Sequence, residues 1–123
     1  MMLIGNLYKI TSTDQKEGVI NAILEIDKYN SIFKGHFPGQ PVLPGAVMLQ
    51  MIKEVLERSL NYQIRLKKAD QIKFLGLIDP QIDNVLQLSL SYSHDDKDLL
   101  RVTASIVFKN NTSLKFKGTF IKL

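Results

Sequence analysis

His36 stands inside a segment dense in backbone constraint. The stretch from Phe33 to Glu54, FKGHFPGQPVLPGAVMLQMIKE, holds one of the two histidines, three of the four prolines and three of the seven glycines. Imidazole is the side chain whose ordinary pKa lets it act as a base near neutrality. Gly35 before it and the Phe37-Pro38 step after it leave its backbone little freedom. Gly45 then opens a helical pattern. The first amides of a helix have no partner within it and lie at the positive end of its dipole. Farther along, Gln50 and Glu54 are four residues apart and so share one helix face. A usable base, free N–H donors and an amide–carboxylate pair are the parts of proton-transfer chemistry. The plain alternatives are a buried histidine capping a turn, and a Glu54 that rides idly in a solvated stripe with Gln50, Lys53 and Glu57.

The second histidine, His94, lies in SHDDKD. With Asp95, Asp96 and Asp98 it could be drawn as a metal site, but it reads as an exposed residue of a polar hairpin. With no cysteine, disulfides, thiolate ligands and a cysteine nucleophile are excluded. The 16 Lys and Arg against 12 Asp and Glu give a net charge of +4. The excess sits in Ile64–Lys73 and in the C-terminal FKNNTSLKFKGTFIKL. No tryptophan, recognition helix or aromatic run accompanies it, so a nucleic-acid role is not supported. No apolar run approaches the roughly 20 residues of a membrane span, and MMLIGNLYKI does not read as a signal peptide, which fits a cytoplasmic chain.

The elements that must position these groups follow from periodicity. The 123 residues suggest a single domain over the whole chain, and 45% apolar content suits one core. Ile20, Ala22, Leu24 and Ile26 alternate as in a strand. Residues 3–10 fit a short strand or a helix equally. From about Pro44 to Leu60 the pattern is helical, with Val47, Met48, Met51, Ile52, Val55, Leu56 and Leu60 covering more than half the circumference. A helix so apolar is wrapped by other elements. DQIKFLGLI, NVLQLSLSYS, LLRVTASIVFK and LKFKGTFIKL read as strands, the last three joined by the polar loops HDDKD and NNTS into an antiparallel meander. One long helix with such a sheet is an α+β arrangement.

GHFPGQPVLPG, Gly35 to Gly45, followed by a helix, resembles the signature of the 3-hydroxyacyl-[acyl-carrier-protein] dehydratases, and coarser similarity extends from about Val19 to Tyr92. The resemblance implies a hot-dog fold, one long central helix wrapped by a curved antiparallel sheet, assembled at least as a homodimer with each site built across two subunits. It implies removal of water from a 3-hydroxyacyl thioester on acyl carrier protein, in fatty-acid or related lipid or polyketide synthesis. His36 would be the base, and because the acidifying thioester is already on the substrate, no metal or organic cofactor would be required. The amide of Gly45, with that of Ala46, would hold the thioester oxygen, while Phe37, Val42 and Leu43 wall the acyl slot. Lys67, Lys68 and Lys73 would steer an acidic carrier protein. In one respect the chain departs from the family. The acidic residue expected fourteen positions after the histidine is Gln50, and Glu54 stands one turn later where the family has glutamine. Either Gln50 and Glu54 jointly handle the hydroxyl, or the chain is a thioesterase or a catalytically impaired acyl-binding partner in a mixed dimer.

Overall fold

The computed structural model describes residues 2–35, 41–95 and 97–123. The elements run β1 (Tyr8–Lys16), β2 (Val19–Ile26), α1 (Ile32–Gly35), α2 (Gly45–Leu60), β3 (Ile64–Phe74), β4 (Val85–His94), β5 (Leu99–Phe108) and β6 (Asn111–Lys122). The strands form one antiparallel sheet in the order β1-β2-β4-β5-β6-β3.

Alternation in the strands decides which face is apolar. Ile20, Ala22, Leu24 and Ile26 of β2, Leu86, Leu88 and Leu90 of β4, and Leu100, Val102, Ala104 and Ile106 of β5 are all buried. They form one core with Met48, Met51, Ile52, Val55 and Leu56 of α2. Each Val, Leu, Ile or Met among them taken from water contributes about 1.5–3 kcal/mol, so the helix is held chiefly by the sheet that wraps it. The expected hot-dog α+β architecture is the one observed. Among the described residues no helix is long and apolar enough to cross a membrane.

Several boundaries differ from expectation, each for a local reason. Residues 3–7 form neither strand nor helix but a turn, and β1 runs from Tyr8 to Lys16, paired along its length with β2. Glu17 and Gly18, both at positive φ, make the two-residue turn between them. The strand expected over residues 70–78 instead spans Ile64–Phe74, because β6 supplies a pairing edge from Ile64↔Lys122 to Phe74↔Leu114. The turn before β6 is Lys109–Asn110, both at positive φ, so that strand begins at Asn111. The short helix α1 was not foreseen.

β3 closes one side of the sheet, and apart from Ile64 its residues are exposed. Gly118 of β6 lets it approach: a Cβ there would lie 2.7 Å from the Lys68 carbonyl oxygen. Glu57 ties the end of α2 to this strand by accepting the Ile64 N–H at 2.9 Å.

Candidate functional site

The helix starts at the expected residue. Pro44 is its N-cap in extended conformation, with no capping side chain and no acid in the first turn. The Val47 and Met48 amides donate to the Pro44 carbonyl at 3.1 and 3.2 Å. The Gly45 and Ala46 N–H groups have no partner among the described residues. Phe74, at the end of β3, lays its ring against Gly45, so closely that a Cβ on Gly45 would meet Phe74 Cζ at 2.6 Å. Leu43 is buried in the core, its N–H donating to the Ile78 carbonyl at 2.9 Å, while Val42 is half-buried.

From this start a largely apolar groove of about 150 Å³ runs along the helix, lined by Ala46, Leu49 and Gln50 on one side and Leu66, Phe116 and Phe120 on the other. Ala46 and Gln50 are four residues apart, a rise of about 6 Å. Ala46 in the first turn and Gln50 one turn farther on therefore line the same groove.

Glu54 is not on a solvated stripe. It is 2% exposed, and its carboxylate accepts four hydrogen bonds. Oε2 receives Leu3 N–H at 2.7 Å and Gln50 Nε2–H at 2.9 Å, and Oε1 receives Ile4 N–H at 2.9 Å and the Tyr8 hydroxyl at 3.0 Å. The N-terminal turn and the start of β1 are thereby strapped to the middle of α2. Tyr8 is buried in turn. Desolvation, then the charge of Glu54 and the hydrogen bond to it, push its phenol well above the ordinary value. Nothing local in NLYKI announces these contacts, which span 46 to 51 residues of chain. The one available signal was Glu54 itself, flanked by Met51, Val55 and Leu56 on a helix with little polar surface.

His36 and Phe37 lie outside the described residues, as does Asp96. Lys67, Lys68 and Lys73 all fall on β3 and are exposed. Lys68 is paired with Asp70 at 3.5 Å, whereas Lys73 stands directly across the ladder from Lys115. His94 ends β4 rather than tipping the loop, and its Nε2 lies 2.9 Å from the Tyr62 hydroxyl. Asp95 organises the hairpin, accepting the Lys97 and Leu99 amides. These bonds, that to Lys97 foremost, hold its carboxyl below the ordinary value. Among the described residues no cluster of ligands could hold a metal.

A single helix wrapped by an antiparallel sheet, with an apolar groove leading from a free helix start, defines a hot-dog protein. The model of one family within that class, ApeI-like, described as ApeI dehydratase, matches residues 11–114, and the chain belongs to that family. The 3-hydroxyacyl-[acyl-carrier-protein] dehydratase FabZ of Haemophilus influenzae (strain PittEE) is 34% identical over 82 residues, covering 63% of this chain and 55% of the relative. The FabZ of Wolbachia pipientis wMel is 28% identical over 81 residues, covering 58% and 54%. The chain thus spans about half the length of the curated relatives it matches. Solved structures repeat the fold. The dehydratase heterocomplex ApeI:P from Xenorhabdus doucetiae superimposes with a TM-score of 0.73 at 22% identity, over 91% of this chain and 96% of that one. A hypothetical thioesterase with coenzyme A from Streptococcus pneumoniae TIGR4 gives 0.68 at 14% identity, over 94% and 85%.

Proposed function

We propose that the chain dehydrates a 3-hydroxyacyl thioester to the trans-2-enoyl thioester. The observation that carries this reading is the groove along α2, which begins at Ala46 in the first turn, where the Gly45 and Ala46 amides have no partner among the described residues, and passes the Gln50 carboxamide. A thioester oxygen held at the helix start puts the 3-hydroxyl within reach of Gln50. His36 takes the proton from C2, its electron pair forms the C2=C3 bond, and the C3–O bond breaks. The charge that gathers on the thioester oxygen meets N–H donors and the helix dipole. An amide has no proton to deliver, so the proton that converts the departing hydroxyl to water is the one His36 has just acquired. Gln50, itself bonded to Glu54, holds that hydroxyl. The acyl group arrives on acyl carrier protein, steered by Lys67, Lys68 and Lys73, and Phe37, Val42 and Leu43 wall its chain. β3 presents Leu66, Ile72 and Phe74 partly exposed along a free sheet edge, which suits pairing with a second copy.

The test follows the conjugated enoyl absorbance and free-thiol release together, with purified protein and a 3-hydroxyacyl thioester. Enoyl formation without thiol supports dehydration. Thiol release identifies a thioesterase, a reading that the engaged carboxylate of Glu54 does not favour, because activating water needs a free carboxylate oxygen. Saturable acyl binding with neither product identifies the second reading, a partner subunit in a mixed dimer. The absence of a free acid at Gln50 favours that reading, and the Xenorhabdus relative is itself a heterocomplex.

A further inference from the structure

A carboxylate offers about four lone-pair positions, and Leu3, Ile4, Tyr8 and Gln50 occupy four of them on Glu54. Glu54 has no acceptor site left for a substrate or a water. Backbone N–H groups only donate, so both Glu54 oxygens act as acceptors, and the group that Gln50 turns toward them must be its Nε2. The carboxamide is planar, which turns Oε1 away from Glu54. Gln50 lines the groove that starts at the helix N-terminus as well as the cleft beside Glu54.

We infer that Glu54, locked by the strap of Leu3, Ile4 and Tyr8, is a positioning residue that holds the Gln50 carbonyl oxygen toward the groove, where it accepts a hydrogen bond from a hydroxyl on C3 of the acyl chain. The inference rests on the proposed dehydration for its substrate and divides the labour of the pair. Gln50 touches the hydroxyl, and Glu54 acts only through Gln50. Selectivity for a hydroxyl follows, since a site built to bond a hydroxyl loses that bond with an analogue lacking it.

The experiment compares two probes that are not turned over: a 3-hydroxyacyl pantetheine amide, whose C2 proton is less acidic than a thioester's, and the saturated acyl amide of equal length. Calorimetry on the wild-type protein is expected to show about tenfold tighter binding of the hydroxylated probe. In Glu54→Gln the Gln50 amide is free to flip, and the ratio falls toward one. Tyr8→Phe, which keeps three of the four bonds, gives a smaller fall and carries the comparison if Glu54→Gln does not fold. With the thioester, Glu54→Gln lowers kcat more than it changes KM and leaves the limb of the pH–rate profile set by His36 in place. A ratio unchanged in both variants, or a limb lost with Glu54, overturns the inference. If the wild-type protein discriminates between the probes but forms no enoyl product, the dehydration reading fails while the positioning role stands.

Discussion

The ring of Phe74 covers Gly45 at the point where α2 begins, leaving no room for a side chain: the nearest ring carbons would lie 2.6 and 2.7 Å from an added Cβ. Phe74 is 54% exposed, so it can swing outward where a core ring could not. Gly45→Ala should therefore fold. Replacing glycine where alanine can adopt the native backbone gains about 0.4–1 kcal/mol by restricting the unfolded chain, offsetting part of the cost of moving the ring. The added methyl and displaced ring crowd the two free amides, and acyl-thioester turnover should fall at least about tenfold, a loss of roughly 1.4 kcal/mol in transition-state binding. Adding Phe74→Ala should recover part of that loss. Denaturant titration beside steady-state kinetics on the single and double variants checks both halves.

Tyr8 makes stability fall in alkali. Its phenol is held above the ordinary value of 10.0 by burial and by Glu54. Above that pH the unfolded chain has lost the proton and the folded chain keeps it, so stability declines as pH rises. Below about pH 10 the contribution is complete. Tyr62, raised mainly by desolvation, adds to the same slope. Tyr8→Phe should cost about 1–3 kcal/mol near neutrality by leaving a buried carboxylate oxygen short of a donor, and should flatten the decline above pH 10. Comparing denaturant midpoints of the two proteins across that range isolates Tyr8. Parallel curves would remove the phenol from the argument.

Much of the architecture was legible because period and burial agree. β2 and β4 alternate without interruption, and the apolar circumference of α2 could be satisfied only by wrapping. β3 was read four to six residues out of place because an edge strand outside the core carries no alternation: Arg65, Lys67 and Ile72 are all exposed. The strap on Glu54 was invisible for a different reason. Hydrogen bonds from backbone amides of residues 3 and 4 leave no trace in residue type, and only the fold brings them to the helix. Helical spacing did place Gln50 beside Glu54, which the 2.9 Å bond confirms, but not the saturation of the carboxylate.

Lys73 and Lys115 oppose each other across the β3–β6 ladder, and neither has an acid within salt-bridge distance among the described residues. A like-charge pair so placed is destabilising by a few tenths of a kcal/mol, and Lys67 adds to the same exposed strand. Lys67→Glu with Lys73→Glu should leave the protein as stable or slightly more so, because the carboxylate introduced opposite Lys115 can pair with it. The same variant should raise KM for carrier-bound substrate about tenfold while leaving a pantetheine thioester unaffected. A matching rise with both substrates would show that these lysines serve the fold or the site rather than docking.

Exchanging Gln50 and Glu54 tests the site as a whole. Gln50→Glu alone brings a second carboxylate to within about 3 Å of Glu54, and two such groups resist joint ionisation. This single variant should lose stability as pH rises through neutrality. In Gln50→Glu with Glu54→Gln the new amide donates to the new carboxylate, so the pair is restored in reverse and an acid faces the groove. A positioned general acid is worth about 10²–10⁴ in rate, and kcat should rise with a new limb on its pH profile. The strap is weakened by the same exchange, because one amide oxygen at position 54 must serve Leu3, Ile4 and Tyr8 in place of two carboxylate oxygens. A fall of about 1–3 kcal/mol in stability is expected. Faster turnover in a weaker fold would mean that this chain holds its amide for the sake of the strap. Slower turnover would mean that the amide is the group the reaction requires.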